Sequence, residues 1–140
     1  MTHAPPRPPD QPDADVWRAV TTAVTHFNSR RYRHAHDGWQ QAAVRGPVEE
    51  RDLYEGLILI TWGLRHLELH RAATARRELA EGLAMLQRYG PVHRGLIIEE
   101  VVDVCTRLVS QLDEGTLPYL VPPLLKYAEY ASDPQPSTDE

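Results

Sequence analysis

The chain has few of the residues that crosslink small proteins or bind metal clusters. Its 140 residues include one cysteine, Cys105, which excludes an internal disulfide bond and a zinc site built from several cysteines. The longest uncharged apolar run, Leu57–Leu64, is far shorter than the roughly 20 residues that span a bilayer. The opening residues, MTHAPPRPPD, contain no apolar stretch typical of a signal peptide. These absences predict a cytoplasmic domain that does not enter a membrane.

An excess of positive charge is also lacking. The sequence has 20 acidic and 15 basic residues, which gives a formal net charge of −5. This balance disfavours nucleic-acid binding and attachment to anionic membranes, although Arg30, Arg31 and Arg33 form a short basic cluster. A chain of this length suits one domain and buries roughly two thirds of its unfolded surface on folding. We therefore expect a single domain with its own core.

Prolines and polar residues mark the two ends of that domain. Five of the first twelve residues are proline, a density that prevents both helix and sheet formation. The last nine residues, SDPQPSTDE, are polar and again contain proline. We predict disordered tails over residues 1–12 and 132–140, and one helical domain over residues 13–131.

Apolar residues recur with helical spacing through most of the domain. The pattern predicts a first helix that begins at Asp13 or Asp15 and ends near Phe27. Four further helices are predicted over residues 32–45, 47–70, 72–89 and 97–112. The Gly-Pro pairs at 46–47 and 90–91 are typical of helix ends. No alternation of the kind that predicts a β-hairpin occurs, so the expected fold class is all-α.

The segment over residues 116–131 differs from the helices before it. Pro118, Pro122 and Pro123 prevent a long helix, but most of the neighbouring side chains are apolar. We predict an extended segment that packs over the bundle, followed by a short helix from Pro123 to about Ala131. Such a segment either covers the core or acts as a lid, or as an arm that reaches a second subunit.

Small and large side chains repeat at an offset of forty residues. The repeated positions are Tyr32, Ala35 and Trp39, then Ala72, Ala75 and Leu79. Their spacing resembles the second helix of a tetratricopeptide hairpin. About three such repeats are needed for a solenoid groove, and only two are present. We therefore expect a bundle of about five helices, arranged as two antiparallel hairpins plus a C-terminal helix and the proline-rich cover segment.

A second resemblance is more specific. The stretches FNSRRYRHAHDGWQQ (27–41) and LYEGLILITWGLRHLELHRAATARRELAEGL (53–83) resemble the bacterial domain-of-unknown-function family numbered 309. The positions that fit are Phe27, Asn28, Tyr32, Ala35, His36, Gly56, Leu57, Ile58, His66, Ala75 and Leu83. The chain departs from the family pattern at Asp37, where glutamate is usual, and at Gln40, where a second carboxylate is expected. The resemblance implies an all-α bundle with no established biochemical activity.

His36 is the centre of the candidate polar cluster. It shares a helix face with Tyr32 and Trp39, so it is expected to point toward the core. The predicted cluster consists of His36, Asp37, Gln40, Glu55 and His66. One interpretation is a structural hydrogen-bond network, and the other is a ligand site or general base in a pocket between helices two and three.

Two further patterns on the third helix have competing explanations. His66 and His70 are four residues apart, a spacing compatible with zinc, but histidines near a helix C-terminus also complement its dipole. The expectation is therefore no metal and no cofactor, with His36, His66 and His70 as weak candidate ligands. Gly56 and Gly63 lie seven residues apart on one stripe, which predicts close packing against a neighbouring helix.

The favoured function is that of a small helical interaction or adaptor protein. Its partner would be another protein or a second copy of the chain in a homodimer. The alternative is a metal-dependent or histidine-based enzyme with a site between helices two and three. These hypotheses differ in what they require, because an enzyme needs its polar groups to meet in a water-accessible pocket.

Overall fold

A computed structural model of the chain describes residues 5–116 and 121–128. Within these residues it contains five α-helices: α1 (Ala14–Asn28), α2 (Tyr32–Arg45), α3 (Arg51–Glu68), α4 (Ala72–Leu86) and α5 (Glu99–Asp113). Short 3-10 helices at Val48–Glu50 and Gln87–Tyr89 precede α3 and follow α4. Three two-residue strands, β1 (Val92–His93), β2 (Leu96–Ile97) and β3 (Lys126–Tyr127), form an antiparallel sheet in the order β1-β2-β3.

The helices pack against one another in sequence order. The α1–α2 pair forms one hairpin and the α3–α4 pair forms the second, with α2 against α3 and α5 against α4. The predicted all-α bundle of two hairpins and a C-terminal helix is therefore confirmed. Across residues 5–116 and 121–128, no helix combines the length and the apolar character needed to cross a membrane.

The two hairpin turns share the same backbone geometry. The amides of Arg31 and Arg71 each donate to a carbonyl five residues earlier, at 2.8 Å in both turns. The preceding residues, Arg30 and His70, both have a positive φ, of 62° and 61°. Arg30 also forms a 2.7 Å ion pair with Glu68, which joins the two turns. The forty-residue offset in the sequence is thus a repeat of backbone structure.

The core is centred on the aromatic residues of α2 and α3. Trp39 is fully buried, and its indole N–H donates to Oγ1 of Thr61 at 3.1 Å. Thr61 is equally buried, and its hydroxyl donates to the carbonyl of Leu57 at 2.7 Å. The ring of Tyr54 stacks near Trp39, with centroids 6.5 Å apart. These bonds satisfy the polar side-chain atoms that Trp39 and Thr61 bring into the core.

Glycines allow close contact between neighbouring helices. A Cβ atom on Gly63 would lie 2.7 Å from Cδ2 of Leu79, and one on Gly56 would lie 3.2 Å from the carbonyl oxygen of Gly82. Both glycines of α3 therefore face α4. In the first hairpin, a Cβ atom on Gly38 would lie only 2.7 Å from the Cβ of Ala23.

The expectation that the chain has no β-hairpin is wrong. β1 and β2 pair Val92 with Ile97 and His93 with Leu96. The two connecting residues, Arg94 and Gly95, both have a positive φ, of 45° and 86°. Tight hairpins favour such turns, but the usual signal is Asn-Gly or Asp-Gly. The hairpin is so short that no alternation of apolar and polar residues develops, and it delays the start of the fifth helix to Glu99.

The predicted short helix from Pro123 to Ala131 is also wrong over its described part. Residues 121–128 are extended and include β3, which pairs Lys126 with Ile97 and Tyr127 with Leu96. The amide of Ala128 donates to the carbonyl of Gly95 at 2.8 Å. Backbone bonds to a strand thus replace the internal bonds of a helix. Residues 117–120 and 129–131 of the predicted cover segment lie outside the described residues.

Residues 5–13 lie against the bundle. The indole N–H of Trp17 donates to the carbonyl of Pro5 at 3.0 Å, and Gln11 is buried. The amide of Gln11 closes a turn onto the carbonyl of Pro8. The Asp13 side chain then accepts the amides of Asp15 and Val16, which begins the helix.

Candidate functional site

His36 lies beside Trp62 on the face between α2 and α3. Its ring centroid is 4.8 Å from that of Trp62, which in turn lies 6.5 Å from the ring of His66. Nδ1 of His36 is 3.4 Å from the Asp37 carboxylate. The tryptophan therefore stands between the two histidines, and neither ring reaches the other directly. His36 is half-buried, not enclosed in the core.

The remaining predicted cluster residues do not join His36. Gln40 and Glu55 are both exposed, and no hydrogen bond connects either side chain to His36 within the described residues. The reason is helix geometry. Because a turn contains 3.6 residues, side chains four positions apart are offset around the helix axis, and Gln40 points further toward solvent than His36. The structure thus brings together His36, Asp37 and Trp62, and it leaves Gln40 and Glu55 apart from them.

His66 has a partner that the sequence did not suggest. Its Nδ1 lies 2.6 Å from Oε1 of Glu78, on α4. Both side chains are largely buried. A carboxylate at this distance orients the imidazole and sets which nitrogen carries the proton. This pair links α3 to α4, the two helices of the second hairpin.

Two neighbouring depressions surround the α2 histidines. The smaller, of about 330 Å³, is lined by Arg33, His34, His36, Asp37 and Trp62. The larger, of about 410 Å³, lies between the outer faces of α1 and α2 and shares His34 and Asp37 with the first. Both are open grooves on the surface. His66 lines neither of them.

The larger groove contains a second pair of histidines. The rings of His26 and His34 lie 5.1 Å apart. Burial lowers the pKa of His26, and the positive potential of His34 and Arg31 lowers it further. His26 therefore resists protonation in the folded protein.

No metal centre forms from the weak candidate ligands within residues 5–116 and 121–128. Across these residues, no group of three or more His, Cys, Asp or Glu side chains has a geometry that could hold a metal ion. His70 lies in the exposed turn after α3, beyond the end of the helix. His66 is directed toward Glu78.

A buried cluster at the base of the sheet, formed by Glu50, Tyr54, His93 and Arg94, is not predicted from the sequence. Glu50 is only 2% exposed, and its Oε2 lies 2.7 Å from Nε2 of His93 and 3.0 Å from Nε of Arg94. The hydroxyl of Tyr54 donates to its Oε1 at 3.3 Å. Glu50 thus connects the start of α3 to the β1–β2 hairpin.

The charges around Glu50 keep it ionised. Burial raises its pKa, but the hydrogen bond from His93 and the positive charge of Arg94 outweigh burial and hold the pKa below its usual value. Burial, together with the nearby Glu50 carboxylate, raises the pKa of Tyr54. The tyrosine therefore remains a neutral donor to Glu50, and the cluster anchors the sheet.

A second missed feature is the strand groove, which we define by Asn28, β2, Glu100 and Trp17. Residues 121–128 occupy it. The Asn28 side chain accepts the amide of Leu125 through Oδ1 and donates to the carbonyl of Leu125 through Nδ2, both at 2.9 Å. One amide side chain therefore pairs with both backbone groups of a single residue, as a neighbouring strand would.

Side chains of the docked segment meet the other parts of the strand groove. Glu100 accepts the amide of Leu124 at 3.1 Å and forms a 3.2 Å ion pair with Lys126. The Tyr127 ring packs edge-on against Trp17, with centroids 5.5 Å apart. Leu125 is 1% exposed and joins the main hydrophobic core.

Once the structure is known, weak sequence signals for the Glu50 cluster and the strand groove can be identified. Asn28 follows the last apolar residue of the α1 stripe, a position at which a polar residue ordinarily indicates the end of a helix. Lys126 is the only lysine in the chain. Glu50 lies at a helix start, where the helix dipole by itself accounts for an acidic residue. None of these signals identifies its partner, because each partner lies far away in sequence.

Comparisons with known proteins agree with the resemblance found in the sequence. Residues 20–77 match the family model described as "Domain of unknown function (DUF309)". Comparison with curated proteins gave no match, and comparison with solved structures gave none either. The matched residues extend from the middle of α1 into α4 and include both Asn28 and His36. The resemblance is confirmed: residues 20–77 of the chain are similar to DUF309, a domain of unknown function.

Proposed function

We propose that the chain is an interaction domain that binds an extended peptide segment as an added β-strand in the strand groove. The observation that carries the proposal is the pair of 2.9 Å hydrogen bonds between the Asn28 amide and the backbone of Leu125. Recognition through main-chain groups accepts any extended segment in the correct register, while side-chain pockets provide selectivity.

The way the segment is held supports exchange with a partner. β3 pairs with β2 over only two residues, and the surrounding bonds come from a few side chains. Elements with few buried contacts open at a lower free energy than the rest of a fold.

A binding experiment on the full chain tests the proposal. Leu125→Asp places a charge in an apolar pocket and should release the chain's own segment from the strand groove. A fluorescein-labelled peptide of residues 121–128 is then titrated against this variant and against the unchanged protein. We expect the variant to bind at least about tenfold more tightly, because a tethered segment competes at millimolar effective concentration.

Asn28 supplies the matched controls for this titration. Asn28→Ala in the Leu125→Asp background removes both backbone bonds and should weaken peptide binding by about five- to tenfold. Ser29→Ala changes the adjacent exposed residue and should leave binding unchanged. A Leu125→Asp protein with native circular dichroism that binds no peptide would refute the proposed function.

A histidine-based enzyme is the second candidate, favoured by the 2.6 Å contact between His66 and Glu78. A carboxylate-oriented imidazole is a common general base. Elemental analysis of untagged protein tests the metal-dependent form of this hypothesis. About one equivalent of zinc, iron or manganese, lost in His66→Ala, would favour it. Folded protein free of metal would exclude that form.

A further inference from the structure

We infer that the partner of the strand groove carries an apolar, a basic and an aromatic residue in succession, and that Leu125, Lys126 and Tyr127 are a built-in competitor for it. The inference rests on the proposed function, because it assigns a ligand class to the same groove. Each position of the motif is read by a different structural element.

The apolar position is set by burial. Leu125 is 1% exposed and packs within the main hydrophobic core, while its backbone N–H and C=O are both bonded to the Asn28 side chain. A polar or charged side chain there would lose its hydration without a partner. Alternation along an extended segment turns the flanking residues, Leu124 and Lys126, outward.

The basic position is set by charge. The Lys126 ammonium lies 3.2 Å from Glu100 at the edge of a cavity of about 320 Å³. Glu99 and Asp103 line the same cavity, with Arg107 as its opposing charge. With the chain's own segment docked, the Leu124 amide and Lys126 both donate to Glu100. The surface that meets this side chain is therefore net acidic, and it favours lysine or arginine.

The aromatic position is set by Trp17. The Tyr127 ring meets the Trp17 ring edge-on at 5.5 Å, a geometry that aromatic pairs prefer. The indole N–H of Trp17 is fixed by the carbonyl of Pro5 at 3.0 Å. An anchored ring loses little freedom when a ligand binds, which makes it a suitable recognition surface.

The chain's own segment would hold the groove closed to weak ligands. Because it is tethered, it acts at millimolar effective concentration, and a partner must exceed that competition to bind. Lys126 is also the only lysine in the chain. Loss of its charge would remove the ion pair with Glu100 and weaken the binding of residues 121–128 to the strand groove. A partner segment that carries arginine or several basic residues would then displace residues 121–128 from the strand groove.

A charge-reversal experiment tests the motif. Full-length Leu125→Asp protein is titrated with two labelled peptides of residues 121–128, one unchanged and one carrying Lys126→Glu. The unchanged peptide should bind about fivefold more tightly or better, and a second substitution, Glu100→Lys, should reverse that order. If Leu125→Asp does not fold, Lys126→Glu in the full chain replaces it, because that side chain is exposed and its change leaves the core intact.

The outcomes separate the two proposals. Equal affinity for both peptides, in proteins with and without Glu100→Lys, would overturn the basic motif and leave strand docking in place. Failure of a folded variant to bind either peptide would overturn both. A preference that follows the charge at residue 100 would support the motif, and a peptide with Tyr127→Ala should then bind several-fold more weakly.

Discussion

Replacing the buried carboxylate of Glu50 provides a sharp test of the cluster that anchors the sheet. Glu50→Gln keeps the size of the side chain but converts one oxygen into an NH₂ group. Oε1 accepts from Tyr54, and Oε2 accepts from His93 and Arg94. An NH₂ group at the Oε2 position would face the Arg94 donor, and one at the Oε1 position would require the Tyr54 hydroxyl to turn and accept; in both cases the negative charge that pairs with Arg94 is lost. Each hydrogen bond to a charged group contributes about 1.5–3 kcal/mol. Since His93 and Arg94 are partly exposed, we expect a total loss of about 2–4 kcal/mol at neutral pH.

The same substitution should change how stability depends on pH. The folded pKa of Glu50 lies below its ordinary value of 4.5. Its carboxylate therefore stabilises the fold above the unfolded pKa, and that stabilisation is lost as the pH falls through the lower folded value. The difference between Glu50→Gln and the unchanged protein should be largest at neutral pH and should shrink steadily below about pH 4.5.

Urea unfolding followed by circular dichroism measures both effects. Glu49→Gln makes the same chemical change at the adjacent exposed residue and should alter the free energy of unfolding by less than about 0.5 kcal/mol. The reasoning would be refuted if Glu50→Gln were as stable as its control at neutral pH. It would equally fail if the loss were the same at pH 3.5 as at neutrality, to within about 0.5 kcal/mol.

Three further predictions concern the helical core. Gly38→Ala would put a Cβ atom 2.7 Å from the Cβ of Ala23. Because this overlap outweighs alanine's better helix propensity, the free energy of unfolding should fall by about 1–3 kcal/mol. A more stable variant would contradict this. Tyr32→Phe should be neutral or stabilising by about 1 kcal/mol in urea unfolding, since the buried hydroxyl has no hydrogen-bond partner among the described residues, and a clear loss would reveal one. Burial raises the pKa of Cys105 to about 12, so maleimide should label it only in denaturant; rapid labelling of native protein would disprove its burial.

The candidate site was predicted only in part. His36 does lie on the α2–α3 face, because a spacing of three and four residues from Tyr32 and Trp39 determines which side of a helix it occupies. The same rule cannot say how two helices rotate against each other. Gln40 and Glu55 are therefore exposed to solvent, and Trp62 lies between His36 and His66.

Local patterns in the sequence predict the helices, the two helical hairpins and the repeat between them. These are local properties, since helix periodicity, the Asp13 cap and the turns at Arg30 and His70 depend on residues within a few positions of one another. The tertiary structure alone decided the sheet, the Glu50 cluster and the strand groove. Asn28 and Leu125 are 97 residues apart, and Glu50 and His93 are 43 apart. Contacts over such distances depend on how the completed bundle places its surfaces, which no local pattern of residues records.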